Sequence, residues 1–117
     1  TGVHLGDNCK VQNYALVYEP AQLGHGVFIG PAAVLTNDHN PRAINPDGSI
    51  KDASDWEPVG VTIEEGATVG KMPESGLNIT EPGDVATVGS GVKIGKGATV
   101  GPKAMISNDV KDGEEQW

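Results

Sequence analysis

The chain has 117 residues and carries 16 acidic against eight basic side chains, a net charge of −8. That length fits one domain, and the acidic balance argues against nucleic acid as a partner. A lone cysteine, Cys9, rules out an internal disulfide, and one Phe, two Trp and two Tyr leave aliphatic side chains to build the core.

From the start of the chain, Leu5, Val11, Val17, Leu23, Ile29 and Leu35 recur every six residues. Cys9, Ala15, Ala21, Val27 and Ala33 follow the first five at a distance of four. Leu, Ile and Val make up 25 of the 117 residues, so a run of six hits by chance has odds of roughly one in ten thousand. A period of six fits neither an amphipathic helix, which returns every 3.6 residues, nor a long pleated strand, which alternates every two. It fits a chain that runs straight briefly, points one aliphatic side chain inward, turns a corner and repeats. Three such faces make a coil of 18 residues, placing Leu5 beneath Leu23, Val11 beneath Ile29 and Val17 beneath Leu35, with coils about 4.8 Å apart. Gly6, Gly24 and Gly30 follow inward residues directly and are expected to supply unusual backbone angles at the corners.

The repeat breaks after Leu35. Residues 36–59 are rich in Asn, Asp, Pro and Gly, with Asn45-Pro46-Asp47-Gly48 reading as a turn and Trp56 as an anchor. So long a loop in so compact a repeat, with an anchor of its own, is expected to be functional. Hexads resume at Ile63 and Val69 and again at Val88, Ile94, Val100 and Ile106, the last set with Val92, Ala98, Ala104 and Val110 four places on. Between them, residues 71–87 form an irregular insertion. Val69 and Val88 are 19 positions apart, one more than a coil, which predicts a bulge or small excursion. The whole of 1–117 reads as a single repeat domain.

At this point the residues carry a resemblance. Leu5-Gly6-Asp7-Asn8-Cys9-Lys10 and Ile29-Gly30-Pro31-Ala32-Ala33-Val34 resemble the hexapeptide repeat of the left-handed β-helix acyltransferases. The fold class this implies is all-β, a left-handed parallel β-helix with one long loop extruded after Leu35. The handedness rests on the resemblance alone, since ordinary parallel crossovers are right-handed in about 98% of cases. The resemblance also implies a homotrimer, further coils ahead of Leu5, and closure of the stack near Asn108-Asp109-Val110. No leader, lipidation motif or bilayer-length apolar run is recognisable, which sets the expectation of a cytoplasmic protein without a membrane partner.

Thr36-Asn37-Asp38-His39-Asn40-Pro41-Arg42-Ala43, with Asp55-Trp56-Glu57, Gln12-Asn13 and Tyr18-Glu19, is similar to the nucleotide-sugar 3-N-acetyltransferases. What that implies is attack of a sugar amine, on a UDP- or dTDP-linked 3-amino sugar, on the thioester of acetyl-CoA at a subunit interface. On this resemblance Asn37, Asp38 and His39 are the catalytic candidates. Asn37 would orient the amine or polarise the carbonyl, and Asp38 would hold the loop or the amine. His39 is a candidate base because an imidazole titrates near neutrality, although such enzymes are thought to leave the proton to the departing thiolate. Gln12, Asn13, Tyr18, Glu19, Pro41 and Arg42 are the candidate acceptor contacts. Gly70, Lys71, Lys93, Lys96 and Lys103 are the candidate acetyl-CoA contacts, five of the eight basic residues falling in the last 47 positions when Lys111 is included.

Two rival readings come from other classes. A zinc carbonic anhydrase on the same architecture needs three converging histidines, but His4, His25 and His39 are 21 and 14 residues apart, neither a multiple of 18, and no His-x4-His pair exists. No metal is expected. The other is a non-catalytic trimeric scaffold, which would retain the hexads and lack a working groove.

Overall fold

A computed structural model describes residues 2–70 and 85–117. Within them the hexads form thirteen two-residue strands, and every strand pairing is parallel. The first face stacks β1 (His4–Leu5), β4 (Gln22–Leu23), β7 (Thr62–Ile63) and β10 (Lys93–Ile94). On the second face lie β2 (Lys10–Val11), β5 (Phe28–Ile29), β8 (Thr68–Val69), β11 (Thr99–Val100) and β13 (Glu115–Gln116). The third face holds β3 (Leu16–Val17), β6 (Val34–Leu35), β9 (Thr87–Val88) and β12 (Met105–Ile106). The fold is a left-handed parallel β-helix of hexapeptide repeats.

Register follows the hexads. Leu5 pairs with Leu23, Val11 with Ile29 and Val17 with Leu35, as their spacing predicts. The columns continue through Ile63 and Ile94, Val69 and Val100, and Val88 and Ile106. In a two-residue strand one side chain faces in and the other out. From β4 to β12 the second residue of each strand therefore carries the core, and Ala21, Ala33, Ala67 and Ala98, between strands, are wholly buried beside the columns.

Most straight runs end in a β-turn. In Gly30-Pro31-Ala32-Ala33 the Ala33 amide donates to the Gly30 carbonyl at 3.3 Å, and Ala32 has φ +58°. That is type II geometry, with Pro supplying the first central angle and a left-handed residue the second. This corrects the expectation for Gly6, Gly24 and Gly30, none of which has a positive φ; the left-handed position lies two residues later. What Gly30 provides is clearance. A Cβ there would stand 2.5 Å from the Gly70 carbonyl oxygen of the next coil.

The stretch before β9 also differs from expectation. Val69 lies on the second face and Val88 on the third, so the 19 positions between them span one corner, where a regular hexad would use six. The excess is an insertion between neighbouring faces, and the reading of a coil plus one residue does not hold. Residues 71–84 themselves lie outside the described residues.

Burial grades along the columns. Leu35 is fully buried between Val17 and Val88, whereas Leu5, with a neighbour on one side only, is 54% exposed. Leu35→Ala should therefore cost about 2–5 kcal/mol through lost transfer energy and a residual cavity, and Leu5→Ala well under half as much. Urea unfolding midpoints of the two variants test this, and equal losses would contradict the columns.

Candidate functional site

The corner between the third and first faces collects the polar residues. In the first coil it is formed by Tyr18, Glu19 and Pro20, and in the third by Gly89, Ser90 and Gly91. The second coil opens there into the long loop. Thr36 holds the exit, its amide and hydroxyl both donating to the Val88 carbonyl at 3.0 and 2.8 Å. Asn37 closes the stem: its carbonyl accepts from the Val59 amide at 2.8 Å, and its side-chain Nδ2 donates to the Glu19 carbonyl at 2.6 Å. On the returning strand, a Cβ at Gly60 would meet the Pro20 backbone at 2.6 Å, so the stem is packed against the coil beneath it.

Beyond the stem the loop is ordered by local polar bonds. The Asp38 carboxylate accepts from the Asn40 amide at 3.0 Å, an Asx-turn that reverses the chain. Ile44 and Ile50 form an antiparallel bridge around the Asn45–Ser49 turn predicted from its Asn-Pro-Asp-Gly sequence. Asp52 then caps a short 3-10 turn, Ala53–Asp55, in a capping box: Asp52 accepts from the Ser54 amide at 2.9 Å, and Asp55 accepts from the Asp52 amide at 2.9 Å. The half-buried Trp56 ends that turn. An open hollow of 520 Å³ results, lined by Asn40, Arg42, Ile44, Asn45, Pro46, Lys51 and Asp55. Lys51 donates to the Asn40 carbonyl at 3.3 Å and Arg42 to that of Pro41 at 3.0 Å, so two cations border one cavity.

His39 folds back onto the stack. Its Nδ1 lies 2.8 Å from Ser90 Oγ in the third coil, a contact between residues 51 positions apart. Gly91 makes the contact possible in two ways. Its φ is +75°, and a Cβ there would stand 3.2 Å from His39 Cε1 and 3.3 Å from Nε2. Sequence reasoning missed Ser90, because Gly89-Ser90-Gly91 looks like any other hexad corner. It missed Lys51 as well, since nothing in the local sequence ties it to Arg42.

Tyr18, Glu19, Asn37, Asp38, His39, Pro41 and Arg42 thus share one corner and the loop rising from it. Gln12 and Asn13 do not. They sit at the corner between the second and third faces, where Tyr14 has φ +62° and the Asn13 carbonyl accepts from the Ala32 amide at 3.0 Å. Gly70 and Lys103 occupy that same corner in later coils. Lys71 lies outside the described residues. Lys93 points outward from the first face into an ion pair with Glu64 at 2.8 Å, and that hydrogen bond raises its ammonium pKa above the usual value. Lys96 stands at the corner between the first and second faces, its amide on the Asp112 carboxylate at 3.0 Å. Among the described residues of one chain, therefore, Lys93, Lys96 and Lys103 stand at different places round the prism.

The outward positions of the third face are Leu16, Val34, Thr87 and Met105, with Met105 81% exposed. The matching positions of the first face are His4, Gln22, Thr62 and Lys93. Three of the four outward positions of the third face are thus apolar, against none on the first, and the loop corner borders that face. Among the described residues no helix is long and apolar enough to cross a membrane, and no group of three or more His, Cys, Asp or Glu side chains is placed to hold a metal ion.

Fold and site together define a hexapeptide-repeat β-helix with a structured polar loop at one corner. Residues 2–37, just under a third of the chain, match the family model described as bacterial transferase hexapeptide (six repeats). The match covers the first two coils and ends at Asn37. No curated protein matches the chain.

The loop carries its own pH dependence. Asp55 is held below its ordinary 3.8, first by the Asp52 amide and then by Asn45. A depressed folded-state pKa gives ordering that is fully present above 3.8 and is lost as pH falls through the lower folded value. Amide exchange at Asp52 and Ser54 should accelerate across that acid range beyond its intrinsic pH dependence, and Asp55→Asn should already show the faster exchange at neutral pH.

Proposed function

We propose that the chain is the subunit of a homotrimeric, acetyl-CoA-dependent N-acetyltransferase acting on the amino group of a nucleotide-linked 3-amino sugar. The observation that carries this reading is the loop from Thr36 to Arg42, tied back onto its own coil stack through Asn37 and His39, with Arg42 lining the hollow within the loop. The match to transferase hexapeptides over residues 2–37 supports the reaction class.

The division of the predicted residues between two corners supports a trimer. The third face is bounded on one side by the loop corner and on the other by the corner of Gln12, Asn13, Gly70 and Lys103. In a three-fold ring with Leu16, Val34 and Met105 turned toward the axis, each copy's loop corner meets the next copy's opposite corner. The two halves of the predicted site then come together across the interface, and the apolar ladder leaves water.

In the reaction the neutral amine attacks the thioester carbonyl carbon. A C–N bond forms, the C–S bond breaks, and the amine proton leaves with the thiolate. Holding two substrates in line supplies much of the rate. The Nδ2 of Asn37 is engaged by Glu19, so its Oδ1 is the atom that orients the amine N–H. Asp38 shapes the turn that carries His39. Arg42 and Lys51, at the rim of the hollow, take the anionic phosphate or carboxylate of the acceptor. Gly70 and Lys103 contribute to the coenzyme groove, with Lys93 and Lys96 farther round the prism.

Isothermal titration should show micromolar acetyl-CoA binding, and sedimentation should show a trimer. Met105→Glu should yield monomers that no longer bind acetyl-CoA, and Arg42→Ala should raise the acceptor KM about tenfold with a smaller change in kcat. A trimer that binds no acetyl-CoA would instead establish a scaffold.

A further inference from the structure

The contact between His39 and Ser90 bears on which nitrogen of the imidazole carries the proton, and so on what His39 can do. Ser90 is the one polar residue among the buried residues described, only 9% exposed, at the corner turn Gly89-Ser90-Gly91-Val92. A buried hydroxyl hydrogen needs an acceptor. Nδ1 of His39, at 2.8 Å, is the acceptor the fold places against it. Were the bond reversed, with Nδ1–H donating to Oγ, the hydroxyl hydrogen of this 9% exposed residue would need a second acceptor. A bond from Ser90 Oγ–H to Nδ1 satisfies the hydroxyl hydrogen, and a neutral ring that accepts it carries its proton on Nε2.

The geometry points to His39 as a hydrogen-bond donor rather than a base, with Ser90 as the positioning residue that sets its tautomer. This rests on the acyl-transfer reading above. A neutral imidazole with a proton on Nε2 has no lone pair there to take the amine proton, and its Nδ1 lone pair is occupied by Ser90. It can donate from Nε2 to the thioester carbonyl oxygen as negative charge develops on it during amine attack. The amine proton departs with the thiolate, and His39 ends the reaction in the state in which it began. Gly91 belongs to the same arrangement, because any side chain there would press on Cε1 and Nε2.

Two measurements separate this inference from the reading it rests on. Ring-nitrogen NMR needs no substrate: at high pH, His39 of the whole protein should show Nδ1 unprotonated and Nε2 protonated in a single tautomer, and Ser90→Ala should give a tautomer mixture. A wild-type ring protonated on Nδ1, or a tautomer population unmoved by Ser90→Ala, would overturn the inference even if the enzyme is active. The second measurement is turnover of acetyl-CoA with UDP- and dTDP-linked 3-amino sugars. His39→Ala should lower kcat by about 100-fold, the scale of one lost oxyanion donor. His39→Gln keeps an N–H donor but cannot act as a base, so it should stay within about tenfold of wild type, with an unchanged pH profile. Glutamine as damaging as alanine, together with loss of the acidic limb of kcat/KM, would make His39 the base and overturn the inference. A wild-type protein inactive on every such sugar, with the NMR result as expected, would overturn the acyl-transfer reading and the donor role with it, leaving the Ser90-set tautomer standing.

Discussion

One constraint governs the molecule: successive coils must stack at strand spacing while each sends one branched or γ-branched aliphatic side chain inward per face. Backbone ladders alone would accept any register, since parallel pairing is indifferent to side-chain identity. The inward columns remove that freedom. Leu23 over Leu5 and under Ile63 allows one register only, because a slip by a residue would put Gln22 into the interior and an aliphatic into water. With Ala at the positions between, the prism is narrow enough for backbone to meet backbone at the corners, as Gly30 and Gly70 do.

So tight a stack exports its variation. Extra residues enter only at corners, and both irregularities of this chain do so: the loop after Leu35 and the insertion between Val69 and Val88. The loop is organised by polar bonds of its own, an Asx-turn, a short hairpin and a capping box, and is tied to the stack through Asn37 and His39. A rigid scaffold thereby holds a small set of polar side chains at defined heights along the prism. Their chemistry depends on which coil each side chain reaches, which is a three-dimensional property.

Much of the architecture was legible in advance because a six-residue repeat is local. The inward residues, the three faces, the 18-residue coil and the turn at Asn45–Ser49 all follow from short-range spacing, and the structure places them so. The glycines after the inward residues were legible as corners, but their reason was not. Sequence shows that a side chain is missing; only the neighbouring coil shows that the space is occupied. The extent of the insertion before Val88 was not legible for a related reason: a count of 19 positions is compatible with several paths, and pairing with Leu35 selects one.

The residues around His39 mark where such reading stops. By itself the chain determined the fold's period, its inward columns, the presence of one long polar loop and the candidates on it, because each depends on neighbours within a few positions. Tertiary structure decided that Gln12 and Asn13 stand at a different corner from Asn37, that Arg42 and Lys51 border one hollow, and that His39 meets Ser90 across 51 positions. Those contacts join residues from different coils, and their partners are chosen by the height and corner at which the helix winds each one past the other.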